Sequence, residues 1–327
     1  MKRLLSLILA TWSVALLAGD ASGGELFRDE MVDGTGWGKN ANTADHTATF
    51  NYNYSANGIP EAPHSLGGDA ATRGVKLEAN NTNFVDSADF FTLYPLGQNF
   101  TGNYQLRFDA WANYSTFDRE QDGGAGTTEF LGGGIGYDGT TADIKSGAQA
   151  MVTNEGGSGS DYRVFSSDSS VPVQDFHDSA QMHCGSRNNN GCTTYIDQYP
   201  AGSGVPPAAQ GQTGVPNQNR LGAPAFQWYT WQFSVLNDIV SVQQFNDSGD
   251  RLLIATWDNA DPNDTIATAT TDGNISIFYA DFFNSVSPSA ALTFGIVDNV
   301  IVTVPEPASL AMFAMGSLGY AFFRRRR

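Results

Sequence analysis

Basic residues are scarce in this chain. It carries 17 lysines and arginines against 34 aspartates and glutamates, a net charge of −17. The imbalance deepens away from the ends: with Asp20, Glu306, Lys2, Arg3 and the four terminal arginines set aside, 32 acidic residues face 11 basic ones. That excludes nucleic acid as a partner, since such binding rests on neutralisation of phosphates by Lys and Arg. What the balance favours is solubility outside a cell and attraction for cations. Helical periodicity is missing as well. Between the termini no stretch sustains apolar residues at i, i+3, i+4 and i+7, and no repeat of 20 to 50 residues is visible, which excludes bundles, solenoids and propellers. Histidine is limited to His46, His64, His177 and His183, and no Ser/His/Asp or Cys/His constellation can be assembled from them. Cysteine is limited to Cys184 and Cys192. In an oxidising compartment this pair reads as a disulfide closing a surface loop, adding about 2 to 3 kcal/mol by loop-closure entropy. A metal site built from Asp175, His177, His183, Cys184 and Cys192 is the alternative, against which stand its loose spacing and the same compartment.

The two ends supply that compartment. Met1, Lys2 and Arg3 precede an apolar run over 4–17 interrupted only by Ser6, Thr11 and Ser13, and small residues follow. This is a signal peptide over 1–21, cleaved near Ala21; the short apolar run disfavours a permanent anchor. At the other end Val304, Pro305, Glu306, Pro307, Ala308 and Ser309 open a segment that is uncharged over 308–323 and closes on Arg324, Arg325, Arg326 and Arg327. The prolines hold the chain extended and accessible. Sixteen uncharged residues make a helix of roughly 24 Å, short of the ~30 Å hydrocarbon core by a span that snorkelling arginines cover. The arginines stay cytoplasmic, placing the preceding chain outside. Residues 304–327 thus resemble the PEP-CTERM sorting signal of Gram-negative bacteria. The resemblance implies recognition by the membrane protease-transpeptidase exosortase, a transient anchor in the inner membrane, and delivery to the cell surface or the extracellular polysaccharide matrix.

The body, 22–303, is rich in Gly, Ser, Asn, Asp and Thr and alternates with period two, which predicts an all-β structure. Along 104–114, Tyr104, Leu106, Phe108, Ala110 and Ala112 share one face, and Gln105, Arg107, Asp109, Trp111 and Asn113 the other. Along 227–235, Tyr229, Trp231, Phe233 and Val235 oppose Trp228, Thr230, Gln232 and Ser234. The last strand, 293–304, sets Phe294, Ile296, Val300 and Val302 on one face with Asp298. A hairpin joins 239–245 to 251–255 through Asn246, Asp247, Ser248, Gly249 and Asp250, whose chemistry supplies positive φ. Further strands are expected over 47–54, 74–77, 90–94 and 274–279. Gly132 to Gly136 suits strand packing; with no helix after it, a phosphate loop is excluded. The Pro-rich stretch 202–224 reads as a long loop within one domain. The segments 100–111, 228–233 and 294–302 resemble the concanavalin A-like (laminin G-like) superfamily, and the body's size favours that reading over the galactose-binding-like jelly roll. The resemblance implies a two-sheet antiparallel jelly-roll sandwich.

Three chemistries compete on this body. Arg107, Asp109, Trp111 and Asn113 project from one strand face, combining a flat aromatic with planar hydrogen-bonding groups that suit a polysaccharide; a solvated sheet face, or a second face buried against a loop, is the alternative. Asp258, Asp261, Asn263 and Asp264 offer hard oxygen ligands, with calcium as the cation they would take, although the Gly and Glu of an EF-hand loop are missing. Glycoside hydrolysis requires paired carboxylates; the Glu-x-Asp-x-x-Glu pattern of the family's glucanases is absent, and the acidic run 117–122 differs in spacing. The expectation is a non-catalytic binding or structural module, with a lectin-like module as the sharper alternative and a hydrolase behind it.

Overall fold

The computed structural model describes residues 24–80, 82, 88–117, 128–142, 146–157, 159–166, 182–214, 217–261, 268–282 and 289–305. The signal peptide, the sorting signal beyond Pro305 and the acidic run 118–122 lie outside them. Among the described residues, no helix is long and apolar enough to cross a membrane.

Residues 25–305 form one compact unit, in which the described residues make fourteen strands: β1 Glu25–Asp29, β2 Trp37–Ala41, β3 His46–Asn53, β4 Arg73–Ala79, β5 Ala88–Pro95, β6 Tyr104–Asn113, β7 Thr128–Tyr137, β8 Ala148–Thr153, β9 Tyr162–Phe165, β10 Trp228–Leu236, β11 Ile239–Asn246, β12 Arg251–Asp258, β13 Asn274–Phe282 and β14 Phe294–Thr303; a short helix, α1 Thr193–Gln198, lies between β9 and β10. The larger sheet runs β12-β11-β10-β6-β14-β4-β3, and β1 pairs with β14 beside β4; the smaller runs β2-β5-β13-β7-β8-β9. All pairings are antiparallel. The expected all-β, two-sheet antiparallel sandwich is therefore the observed fold.

Alternation decides which face goes inside. Leu106, Phe108 and Ala110 of β6 join Trp231 and Phe233 of β10 in one buried cluster with Phe91, Leu131, Ile277 and Tyr279 of the smaller sheet. A Cβ on Gly295 would meet the Tyr279 ring at 2.9 Å, a measure of how closely the sheets approach there. Glycines 132, 133 and 134 lie within β7, as strand packing requires.

The last strand departs from its expected pattern. Its register against β6 shifts between Asp298 and Ile301, and Asn299 sits in the left-handed region at φ 54°. This bulge moves the alternation by one residue. Phe294 and Ile296 pack on the outer side of the larger sheet, whereas Val297, Val300 and Val302 face the inter-sheet core. The single face expected for Phe294, Ile296, Val300 and Val302 is thus divided between two.

Candidate functional site

The outer face of the larger sheet carries the candidate residues, and a loop covers much of it. After β3, residues 54–62 place Tyr54, Ile59 and Ala62 in an apolar cluster with Trp111, Trp228, Phe294 and Ile296. Trp111 and Trp228 meet edge to face, with centroids 5.7 Å apart, and the Trp228 indole donates to the Pro60 carbonyl at 2.8 Å. Trp111 is 3 % exposed and Asn113 is fully buried. Trp111 donates to Asn113 Oδ1, and Asn113 donates through Nδ2 to the Leu292 carbonyl. The open binding face expected of Arg107, Asp109, Trp111 and Asn113 is corrected accordingly: its Trp111 end is a second core, and Arg107 alone of the four lines a pocket.

Asp109 lies buried beneath the floor of that pocket, bonded to the lining residues His64 and Thr230. Fully buried, it accepts from Thr230 Oγ1 and Asn299 Nδ2, each at 2.7 Å, and from the His64 backbone N–H at 3.0 Å. The His64 ring approaches it through Nδ1 at 2.7 Å. With its backbone N–H and its ring nitrogen both held by one carboxyl group, His64 is fixed in orientation by Asp109. The bulge serves this arrangement, because the left-handed turn at Asn299 presents its amide to Asp109.

Above the floor lies a pocket of about 300 Å³ bounded by Pro63, His64, Arg107, Thr230, Gln232, Phe245 and the hairpin residues 246–249. The hairpin wall is stiffened from within: Asn246 Oδ1 accepts from the backbone N–H of Ser248 and of Asp250, and Gly249 takes the positive φ that closes the turn. Asp247 stands on this wall, solvent-accessible at the tip, and its carboxyl is pushed up to about 6 by desolvation and then by the charge of Asp109.

Behind the floor, Asp298 pairs with Asp109 across β14 and β6. Burial pushes its carboxyl up to about 8, against opposing hydrogen bonds from Tyr54 and the Asn299 backbone. Tyr54 Oη lies 2.9 Å from Asp298 Oδ2 and 3.0 Å from the Ala71 carbonyl. One tyrosine proton cannot serve two acceptors. The count closes when Asp298 is protonated and donates to Tyr54, which then donates to Ala71.

The remaining candidates lie elsewhere. Cys184 and Cys192 are joined in a disulfide, so neither is a thiolate ligand, and His183 Nε2 lies 2.9 Å from Thr256 Oγ1; Asp175 and His177 fall outside the described residues. Asp258 accepts from the Ala260 N–H in a turn beyond β12. Asp261 is exposed nearby, while Asn263 and Asp264 lie outside the described residues. Among the described residues, no group of three or more His, Cys, Asp or Glu side chains is arranged to hold a metal ion. Val304 and Pro305 end the described chain. Sequence reading missed His64, Thr230, Gln232, Asp247 and Asn299 as members of one site: Thr230 and Gln232 share the outer face of β10 in the alternation, but nothing near His64 signals a partner 45 residues away.

Comparison with known proteins finds similarity of two kinds. Residues 303–327 match the PEP-CTERM protein-sorting motif. No curated protein matches the chain significantly. Among solved structures, the exoplasmic/lumenal domain of VIP36 in its Ca2+/Man3GlcNAc-bound form superposes with a TM-score of 0.39 at 4 % identity, over 85 % of this chain and 87 % of that one. Laminarinase from Flavobacterium sp. UMI-01 gives 0.37 at 10 % identity, over 86 % and 100 %, and peanut lectin gives 0.34 at 7 %, over 79 % and 97 %.

Proposed function

We propose that this is an exported protein, processed by exosortase and delivered to the cell surface or extracellular matrix, whose sandwich binds a saccharide without catalysis in the pocket above Asp109. The sorting motif supports the destination. The binding reading is carried by one observation: a pocket of about 300 Å³ in which a buried carboxylate fixes His64, a hydrogen-bonded hairpin forms the opposite wall, and Phe245 adds an aromatic surface. Fixed polar groups beside an aromatic wall suit a ring bearing hydroxyls, because little side-chain freedom is left to lose on binding. Binding is favoured over hydrolysis because Asp247 is the one carboxylate among the lining residues, whereas glycosidic cleavage needs two flanking the bond.

The test is a glycan array probed with the full-length protein and with His64→Ala, in calcium and in chelator. Selective retention by the wild type that falls at least tenfold in the variant is expected under both conditions. Retention by neither protein, or equally by both, would sink the assignment of this pocket.

A further inference from the structure

The pocket contains a cation that the fold leaves unanswered. Arg107 rises from the middle of β6 between its cross-strand neighbours Gln232 on β10 and Ile301 on β14. Its Nε is closed off from solvent and makes no hydrogen bond, and no ion pair of Arg107 occurs among the described residues. Three other strand cations have partners: Arg28 in Glu25 and Glu30, Lys76 in Glu78, Arg163 in the Ser160 carbonyl. In a chain with twice as many acidic as basic residues, this arginine is not unpaired for want of carboxylates. Asp109, two residues along the same face, has its oxygens engaged by His64, Thr230 and Asn299. A shielded, unpaired guanidinium N–H is costly in the free protein and becomes an asset once a ligand supplies the acceptor.

We propose that Arg107 is an anion-binding point and that the saccharide taken by this pocket is a sugar acid, its carboxylate lying in the plane of the guanidinium. The inference rests on the saccharide reading of the pocket and narrows it to one class. A planar fork of N–H donors matches a planar carboxylate through two parallel hydrogen bonds, which an ammonium group cannot reproduce. Gln232 and Thr230, on the adjoining strand, stand beside Arg107 as neutral partners for ring hydroxyls. Asp247 is the opposing charge on the wall, and with its carboxyl pushed up to about 6 it repels an acidic ligand less under mildly acidic conditions than at neutrality.

Titration calorimetry on the full-length protein in mild detergent, with trigalacturonic acid and with the neutral galactotriose as probes, tests this. The wild type is expected to bind the acid at least tenfold more tightly. Arg107→Gln should abolish that preference, so that the ratio of the two affinities falls to about one whatever the affinity for the neutral trimer, and Arg107→Lys, keeping the charge without the fork, should retain only part of it. Thermal melts of both variants check the fold, and Arg107→Lys decides the matter if Arg107→Gln does not fold. Equal affinity for the two trimers, or a preference that survives in Arg107→Gln, overturns the sugar-acid inference and leaves the saccharide reading standing. Failure to bind either trimer, together with silence on the glycan array, overturns both.

Discussion

At the scale of single residues, the larger sheet holds two neighbouring aspartates in different surroundings. Asp109 is surrounded by the donors of His64, Thr230 and Asn299; Asp298, one strand away, is pushed up by burial and lies against the Tyr54 hydroxyl. The folded value for Asp298, about 8, lies above the roughly 4 of an unfolded chain. The native state therefore holds the extra proton between those limits, and this contribution to stability is complete below about pH 4 and is lost as pH rises towards 8. Asp298→Asn keeps an acceptor for the Asn299 N–H and offers an N–H to Tyr54 in place of the acid proton. It should match the wild type near pH 4 and exceed it by roughly 2 to 5 kcal/mol at pH 8.5, measured as the difference between denaturation curves across that range. A wild type that stays the more stable at pH 8.5 would show Asp298 to be charged in the fold.

At the scale of elements, β7 shows how closely strands can be set when side chains are missing. A Cβ on Gly132 would collide with the Ala150 carbonyl of β8, and one on Gly133 with the Ser276 carbonyl of β13. These obstacles are backbone, which yields only by displacing a strand. Gly133→Ala should accordingly cost about 3 kcal/mol, seen as an earlier urea midpoint; an unchanged midpoint would mean that the two strands separate freely. The strands most legible in the sequence were those with strict alternation: β6, β10, and the hairpin of β11 and β12 marked by Asn246 and Gly249. The faces of β6 and β10 fell as expected because nothing interrupts their pleat. Those of β14 did not, since one residue in a left-handed conformation reverses everything after it. The Asp298-Asn299 pair permits such a turn without demanding it. β1, β2, β8 and β9 were not anticipated; they are short, four to six residues each, and take their definition from neighbours.

At the scale of the whole molecule, the site was legible only in fragments. Arg107 and Asp109 were visible as polar residues on one strand face, but alternation says only that a second face exists, and it took residues 54–62 to make half of that face a core and leave the rest a pocket. The sorting signal, by contrast, is local in sequence and needs no fold to be read. Removing Pro305, Glu306 and Pro307 should hold the protein in the membrane as an unprocessed precursor, seen by fractionation and blotting; unchanged release would refute exosortase processing. The strand that leads into this signal is not a peripheral one. β14 ends at Thr303, flanked on one side by β6 and on the other by β4 and β1. Tension applied to the tail is therefore borne in shear by two rows of hydrogen bonds at once, rather than by peeling one edge pair after another. Load on the tail thus enters the sheet through its middle, and a cut on the body side of Thr303 would withdraw support from there.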